Sequence, residues 1–418
     1  MRAMKDSGVE WLGEVPAGWG LRQAGQLANQ TKTPNEGMAE TNLLSLSYGK
    51  VKRRDINATD GLLPASFETY NIIEPDDIVL RFTDLQNDQK SLRVGRATER
   101  GIITSAYVTV RPFDPSCSRF MYYALHAYDL RKGFYGMGAG VRQGLKWQEA
   151  KYIELPWPSE AEQARIADFL DAKCAEVDRA VSAAEQSIQE YKAYKNSVVF
   201  QAVTKGLDLD APMKDSGVEW LGEVPAGWRV TPIKHLFYIS KKIAGKTGYD
   251  VLSITQRGLK IKDIKSGEGQ LAADYSHYQL VEPGDFAMNH MDLLTGWIDI
   301  ASQVGVTSPD YRVFKSRIEQ IDKRYFLRVF QYYYSGRIFY GFCKGISSKG
   351  RWRLPADAFG NTYIPVPPVP EQTRIADFLD AKCADVDRIV EAKQAIIDEL
   401  KSYKQSLIYE AVTGKLEV

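Results

Sequence analysis

Cysteine and histidine are scarce in this sequence, with four residues of each among 418. The cysteines form no Cys-x-x-Cys pair, so neither a zinc site nor a disulfide framework is predicted for Cys117, Cys174, Cys343 and Cys383. This cysteine usage favours a reduced, cytoplasmic setting. No apolar run reaches the ~18 residues of a membrane span, and the first residues lack the apolar core of a signal peptide. We therefore expect a protein without a membrane segment.

Signatures of catalysis are also missing from the sequence. There is no GxSxG, no HExxH, no spaced cysteine and histidine cluster, and no Asn-Pro-Pro-aromatic tetrapeptide of the kind that amino-methylating enzymes use. The run Gly245 to Thr247 (GKT) has the end of a phosphate-binding loop, but Ser240 stands where that loop requires its first glycine. A turn with a solvated lysine is the favoured interpretation. We predict no catalytic residue, and no metal or cofactor held by this chain.

The sequence does contain a duplication. MKDSGVEWLGEVPAGW runs from Met4 to Trp19 and again from Met213 to Trp228, 209 positions later, and 418 is twice 209. EQARIADFLDAKCAEVDR, from Glu162 to Arg179, returns from Glu371 to Arg388 with 16 of 18 positions matched and the same offset. A period of this length makes each repeat domain-sized, so a tandem duplication is indicated and not a solenoid.

The formal net charge of +1 conceals a division along the chain. The two dissimilar middle regions are basic: 21–158 has 18 Lys and Arg against 15 Asp and Glu, and 230–367 has 19 against 12, giving +3 and +7. The repeated ends are acidic, with 6 against 10 in 159–212 and 7 against 10 in 368–418, giving −4 and −3. Such asymmetry is more informative than the total charge. Positive charge therefore lies in the two dissimilar middles, where it favours contact with nucleic acid, and negative charge lies in the repeated ends.

Each acidic end carries a hydrophobic stripe at heptad spacing, which predicts a long helix. Each helix is expected to start after a proline, Pro158 or Pro370, and to stop near a glycine, Gly206 or Gly414. One stripe alone could equally cover the helix's own domain, but two matched copies favour antiparallel pairing of the helices. The stripe residues expected at a helix pair or partner surface are Leu170, Val177, Val181, Ile188, Leu379, Val386, Val390, Ile397 and Leu400.

The two middle regions show the same order of secondary-structure signals. Strand and turn signals occur at 41–49 and 249–258, and helix signals at 119–128 and 324–334. We predict one mixed α/β (α+β) domain fold used twice, with two long antiparallel coiled-coil-like helices and a pseudo-twofold internal repeat. The expected divisions are 1–158 and 213–367 for the domains, and 159–212 and 368–418 for the helices.

Basic and amide side chains cluster in matched, glycine-containing loops of the two middle regions. Glycine lets backbone approach a ligand closely, and Arg, Lys and Gln grip phosphates and read base edges. KGISSKGRWRL (344–354) and GMGAGVRQGLKWQ (136–148) hold equivalent places. Either alone would be taken as a solvated loop, but the pair favours contact with DNA. The candidate DNA-binding residues are Arg81, Gln86, Asn87, Lys90, Arg93, Arg142, Gln143, Lys146, Lys241, Lys242, Lys246, Arg257, Lys260, Lys344, Ser347, Ser348, Lys349 and Arg351.

The chain runs in the order SGVEWLGEVPAGW, a variable region, EQxRIADFLDAK with a long helix, and then the whole plan again. This order resembles, over the full length, the specificity (S) subunit of a type I restriction-modification system. The resemblance implies that 1–158 and 213–367 are target-recognition domains, each reading one half of a split, asymmetric site in double-stranded DNA. It implies that the helices set the gap and dock two methyltransferase subunits, which carry S-adenosylmethionine. Restriction and translocase subunits, which use ATP and Mg, would join that core in the cytoplasm of a bacterium or archaeon.

Three functions stay open at the level of sequence. The favoured one is a DNA-specificity subunit without catalysis of its own. A nucleotide-dependent enzyme that uses Lys246 is the second, and ATP binding that is lost on Lys246→Ala would support it. The third is a scaffold or inhibitor that binds the methyltransferase without reading DNA, since degenerate recognition loops would still look basic.

Overall fold

The structure is a computed structural model. It describes residues 2–58, 63–64, 66–85, 88, 90–137, 144–264, 272, 274–293, 296–343 and 353–418. The chain divides into two compact units: a first unit of Met1–Glu185 with Gln394–Val418, and a second unit of Gln186–Lys393. Each long helix is shared between the units, whereas the divisions expected from sequence (1–158, 159–212, 213–367 and 368–418) stay a prediction.

The first half of the chain supplies short strands and one very long helix. The strands are β1 (Met4–Asp6), β2 (Glu14–Pro16), β3 (Gly20–Gln23), β4 (Ala28–Thr31), β5 (Leu44–Ser47), β6 (Lys50–Arg53), β7 (Asn71–Ile73), β8 (Ile78–Leu80), β9 (Val94–Arg96), β10 (Gly101–Ile103), β11 (Val108–Pro112) and β12 (Glu154–Trp157). The helices are α1 (Ala24–Leu27), α2 (Ser118–Leu130), α3 (Trp147–Ala150) and α4 (Glu160–Lys205), with 3-10 turns at Glu36–Met38, Pro115–Cys117 and Gly133–Gly136.

The second half repeats this order of elements. Its strands are β13 (Met213–Asp215), β14 (Glu223–Pro225), β15 (Arg229–Pro232), β16 (Phe237–Ser240), β17 (Leu252–Thr255), β18 (Gly258–Ile261), β19 (Gln279–Val281), β20 (Phe286–Met288), β21 (Ile298–Ile300), β22 (Gly305–Thr307), β23 (Arg312–Ser316) and β24 (Tyr363–Val366). Its helices are α5 (Ile233–Leu236), α6 (Lys323–Ser335), α7 (Ile338–Gly341), α8 (Ala356–Asn361) and α9 (Val369–Val412). In the described part of the chain, no helix is long and apolar enough to cross a membrane.

Sheet topology is the same in the two units. The first contains an antiparallel sheet of order β4-β11-β8-β9, and the second contains one of order β16-β23-β20-β21. The two-stranded pairs β1-β2, β3-β12, β5-β6 and β7-β10 correspond to β13-β14, β15-β24, β17-β18 and β19-β22. The mixed α/β class is therefore confirmed, as are the strands expected near 41–49 and 249–258 and the helices that became α2 and α6.

A matched turn precedes the central strand β8 or β20 in each sheet. The Asp77 carboxylate accepts from the Glu74 backbone N–H at 2.8 Å, and Asp285 accepts from Glu282 at 2.9 Å. Such side-chain bonds close a turn locally. The residues that follow, Ile78–Leu80 and Phe286–Met288, are apolar and buried on both faces, which explains why they read as continuous hydrophobic runs.

Segments of the two long helices run antiparallel within each unit. In the first unit, Lys404 Nζ lies 2.7 Å from Asp178 and Lys401 Nζ lies 3.3 Å from Glu185. In the second, Lys195 Nζ lies 2.6 Å from Asp387. The end of α4 is followed by Gly206 with a left-handed φ of 77°, as a helix stop requires. The expected start of α9 is corrected: the helix begins at Val369, ahead of Pro370, because a proline is tolerated in the first helical turn.

The repeated opening segment packs each domain core against its helix segments. Trp19 is buried in one core cluster with Leu170 and Leu407, and its indole N–H donates to Glu162 at 3.0 Å. Trp228 makes the same bond to Glu371, also at 3.0 Å. This identical contact explains why the opening and the helix start are repeated while the residues between them differ.

Candidate nucleic-acid interface

Loop 81–93 joins β8 to β9 in the first unit, and several of its described residues (81–85, 88 and 90–93) contact Arg93. This side chain has 0% relative exposure. Its guanidinium donates to the Tyr135 hydroxyl at 3.1 Å and to backbone carbonyls of Arg81 (3.1 Å), Thr83 (2.8 Å), Asp84 (3.2 Å) and Asp88. The buried guanidinium with these partners shapes the loop from inside, and the contact of Arg93 with DNA that the sequence suggested stays a prediction.

Arg81 and Lys90 lie nearer the surface of this loop. The Arg81 guanidinium lies 3.2 Å from Asp88 and donates to the Ser91 hydroxyl at 3.3 Å. Hydrogen bonds from Ser91, with the charge of Arg81, lower the pKa of Asp88 to about 2, so that this carboxylate stays ionised. Lys90 is exposed. Lys90 is thus in a position to meet a phosphate, whereas Arg81 is held by its loop partners.

Lys146 is joined to the same loop through the backbone. The N–H of its neighbour Leu145 donates to the Phe82 carbonyl at 3.0 Å. Lys146 itself is exposed, and its backbone N–H donates to Glu149 at 2.9 Å, which starts α3. The fold therefore brings together loop 81–93 and Lys146, which are about fifty residues apart in sequence.

Lys241, Lys242 and Lys246 follow β16 in the second unit, and all three are exposed. Lys242 Nζ lies 3.0 Å from Glu282. Hydrogen bonds from Lys315 and then Lys242 lower the pKa of Glu282 to about 2. Lys246 Nζ lies 5.3 Å from the centroid of the Tyr249 ring, and Lys241 lines a cavity. An exposed ion pair such as that of Lys242 costs little to exchange for a phosphate.

Arg257 and Lys260 lie on the hairpin β17-β18, the second hairpin, and both are exposed. Its counterpart in the first unit is β5-β6, the first hairpin, where Lys50, Lys52 and Arg53 are exposed. Tyr48 is 82% exposed at its tip.

Sequence reasoning missed the residues of the first hairpin. The signal was present, since Tyr48-Gly49 is a two-residue turn with φ of 48° and 74°, and hairpin turns need positive φ. Lys50 is paired with Asp178, and Arg53 Nη2 lies 2.5 Å from Glu99.

Half of the candidate DNA-binding residues lie outside the described residues. They include those of the matched basic loops at 138–143 and 344–352, and no position is assigned to Gln86, Asn87, Arg142, Gln143, Lys344, Ser347, Ser348, Lys349 and Arg351. Their contact with DNA stays a prediction, as does that of the described candidates.

The stripe residues of the long helices are buried or half-buried. Leu170, Val177, Ile188, Leu379, Val386 and Ile397 are buried, and Val181, Val390 and Leu400 are half-buried. Cys174 and Cys383 lie in the same stripe, and burial raises the pKa of both thiols. The described cysteines are all free thiols. These positions are typical of a helix-packing stripe, and a partner role for them stays a prediction.

The GKT run shows no phosphate-loop geometry. Gly245 has a left-handed φ of 70°, but the chain continues to strand β17 and not into a helix. A phosphate loop works by aiming a helix N-terminus at its ligand. Among the described residues, no group of His, Cys, Asp and Glu is placed to hold a metal ion.

Comparison with known proteins finds similarity to solved structures and not to known sequences. No protein-family model and no curated protein matches the chain. One solved structure, from work on complex assembly and conformational transition of the type I R-M system, matches with a TM-score of 0.66 and 15% identity over 96% of this chain and 99% of the other. The chain therefore shares the fold of a type I restriction-modification protein.

Two further structures cover the chain at lower TM-scores. They are the HsdS subunit from Thermoanaerobacter tengcongensis (16% identity, 96% and 98% of the two chains, TM-score 0.48) and the type I restriction-modification system S subunit from M. genitalium (13% identity, 94% and 96%, TM-score 0.39). The conclusion on the fold rests on the first structure.

Proposed function

We propose that this chain is the non-catalytic DNA-specificity subunit of a type I restriction-modification complex. The observation that carries the proposal is one domain topology built twice, with different basic hairpins, beside two long helices whose first segments match at 16 of 18 positions. A protein that reads two different half-sites with one scaffold needs this combination. The shared fold with a type I restriction-modification structure supports the same function.

In this proposal each domain reads one half of a split, asymmetric target in double-stranded DNA. Half-sites on one face of a duplex lie about one helical turn, roughly 10 base pairs, apart. The paired helices set that gap more sharply than a flexible linker would. Their acidic surfaces dock two methyltransferase subunits, which supply S-adenosylmethionine, and restriction subunits supply the ATP- and Mg-dependent steps.

A scaffold or inhibitor that binds the methyltransferase without reading DNA is the alternative. The exposed cations Lys52, Arg257 and Lys260 on matched hairpins favour DNA reading, because a pure scaffold has no use for basic residues at both places. The nucleotide-dependent enzyme is disfavoured, because a strand and not a helix follows the GKT run.

Mapping of methylated adenines by long-read sequencing, in cells with and without the gene, tests the proposal. We expect a motif of two short half-sites around a fixed gap that disappears when the gene is deleted. Loss of the motif together with co-purification of a methyltransferase would establish the specificity role. Co-purification with an unchanged methylome, in cells where the methyltransferase is expressed, would favour the scaffold.

Insertion of one heptad into α4 tests the ruler directly. Seven residues add about 10 Å of helix, so the gap should change or the complex should fail to assemble. The matched control is an insertion in the loop 207–212, which leaves both helices intact. An unchanged gap in an assembled complex with the longer helix contradicts the ruler.

A further inference from the structure

The second unit contains a cavity of about 450 Å³ beside the start of β23. Lys241, His290, Arg312 and Arg353 line it, together with Asp310 and the backbone region of Leu354. Small-ligand sites commonly have volumes of ~300–1,000 Å³ and a few convergent polar groups. The cavity has the size and the lining of a ligand site.

Two of the lining side chains are buried and lack partners for part of their polar surface. Arg312 is 5% exposed; its Nη2 donates to the Leu354 carbonyl at 2.9 Å, and its Cζ lies 4.9 Å from the Phe359 ring centroid. His290 is 7% exposed. Within the described residues, Arg312 Nη1 and His290 Nδ1 have no hydrogen-bond partner. A buried donor without a partner is costly, and a buried charge without a counter-ion is more so.

The charge around the cavity is predominantly positive. Burial, followed by the charges of Arg312, Arg353 and Lys241, lowers the pKa of His290 to about 3, so the imidazole is neutral at pH 7. Burial and Arg353 lower the pKa of Arg312 only to about 10, so the guanidinium stays charged. Asp310 is the acid among the lining residues, and the charge of Asp357 opposes the effect of burial by raising the pKa of Arg312.

The first unit shows that the fold does not require these polar groups. In both units a backbone carbonyl two positions after the central strand, β20 or β8, accepts a hydrogen bond from a distant leucine. The Leu354 N–H donates to the His290 carbonyl, and the Leu145 N–H donates to the Phe82 carbonyl, each at 3.0 Å. The strand registers agree as well, since Arg312 pairs with Met288 where Val108 pairs with Leu80. His290 and Arg312 therefore stand where the first unit has Phe82 and Val108. An apolar pair at these positions is sufficient for the architecture.

We propose that this cavity is an anion site that binds a phosphate group, held by Arg312 Nη1 and His290 Nδ1 with Lys241 and Arg353 at its edge. Arginine is the side chain best suited to phosphate, because its planar fork donates in pairs. A bare phosphate leaves much of the volume empty, so an attached nucleoside fits. The phosphate is either a phosphodiester of target DNA, in which case the inference rests on the proposed function, or the phosphate of a free nucleotide.

The test uses the full chain and a double variant that copies the first unit, His290→Phe with Arg312→Val. Binding of dAMP and of inorganic phosphate is measured by calorimetry at constant ionic strength, and binding of duplex DNA is measured across a salt series. We expect dAMP to bind the wild type and the double variant to lose at least tenfold in affinity. The variant should fold with an unchanged or higher unfolding temperature, since buried ions replaced by apolar residues are often tolerated.

The matched control is Lys214→Met, which removes an exposed cation of the same unit outside the cavity and should leave dAMP affinity unchanged. If DNA is the source of the phosphate, the double variant should also lower the salt dependence of duplex binding by about one unit of slope. If the source is a free nucleotide, duplex binding stays the same. Equal affinity of wild type and double variant for dAMP, phosphate and duplex overturns the site. If the double variant loses dAMP binding but neither it nor the wild type binds duplex DNA, the anion site stands and the proposed function is refuted.

Discussion

Arg93 illustrates how a cation can serve a binding loop from the interior. Its guanidinium holds backbone carbonyls at Arg81, Thr83 and Asp84. Its backbone N–H donates to the Asp129 carboxylate at 2.6 Å. Burial raises the pKa of Asp129 to about 6, and the backbone hydrogen bond and the charge of Arg93 oppose that rise. The role of such a residue is to fix the loop that presents Lys90.

Arg93→Met should release loop 81–93. Buried carbonyls that lose their donors cost about 1–3 kcal/mol each, so we expect a loss of at least about 2 kcal/mol in the free energy of unfolding and faster amide hydrogen exchange in the loop. Lys90→Met, an exposed cation in the same loop, is the control and should change stability by under about 0.5 kcal/mol. Equal effects of the two substitutions would mean that Arg93 does not organise the loop.

His126 should make the first unit sensitive to acid. It is buried beside Tyr122, and burial, then the charge of Lys404, lowers its pKa to about 4. Between pH 6.5 and pH 4 the unfolded chain binds a proton that the folded chain does not, so stability present at neutral pH is lost as the pH falls.

Urea unfolding at pH 7 and pH 5 measures this effect. The histidine contributes a slope of at most about 1.4 kcal/mol per pH unit, and His126→Gln should remove it. His277→Gln removes an exposed histidine and is the control with an unchanged slope. If the free energy of unfolding of His126→Gln changes with pH as steeply as that of the wild type, other groups cause the acid sensitivity.

At the scale of elements, the end of α9 is fitted to the repeated opening segment. Gly414 has a left-handed φ of 70°, and a Cβ there would lie 2.3 Å from Pro16 Cγ and 3.0 Å from the Trp19 ring. The Tyr409 hydroxyl donates to the Trp11 carbonyl at 3.2 Å. The helix end and the opening segment therefore pack closely, and a glycine is needed for both conformation and space.

Gly414→Ala should destabilise the first unit by more than the backbone effect alone. The left-handed conformation costs alanine about 1 kcal/mol, and the overlap with Pro16 adds about 1–3 kcal/mol. Gly222→Ala is the matched control, because Gly222 has φ of 60° with no atom within 4 Å of the added Cβ. Chemical denaturation should show the larger loss for Gly414→Ala, and equal losses would show that space at the helix end is not limiting.

At the scale of the whole molecule, one domain plan carries two independent surfaces. The first and second hairpins occupy the same place in the topology but differ in sequence and charge placement. Replacement of Arg257 and Lys260 by Gln should therefore weaken recognition of one half-site only, by about 1–3 kcal/mol for each lost base contact.

Lys52→Gln on the first hairpin is the reciprocal variant and should affect the other half-site. Binding to duplexes mutated in one half-site at a time distinguishes the two results. Equal weakening of both half-sites by either variant would mean that these cations contact phosphates without reading sequence.

Much of the candidate site was accessible from sequence, and its limits are instructive. The glycine-containing basic loops and the cations Lys90, Lys146, Arg257 and Lys260 follow from composition and turn signals. The interior position of Arg93 does not, because a charged residue in a polar stretch reads as exposed unless its distant partner Tyr135 is known. Arg312 and His290 were not predicted as a pair, since they lie 22 positions apart with the two strands β21 and β22 between them in the chain.

The sequence by itself determined the duplication, the order of elements and the helix stripes, because a repeat and a hydrophobic period are properties of neighbouring residues. Tertiary structure alone decided which of the candidate cations are exposed and which, like Arg93, are buried. It also decided that each compact unit takes helix segments from both halves, and that one unit has a charged cavity where the other has an apolar core. The physical reason is that burial and partner geometry depend on residues from distant parts of the chain, and the residues of one local pattern do not specify which distant residues will surround them.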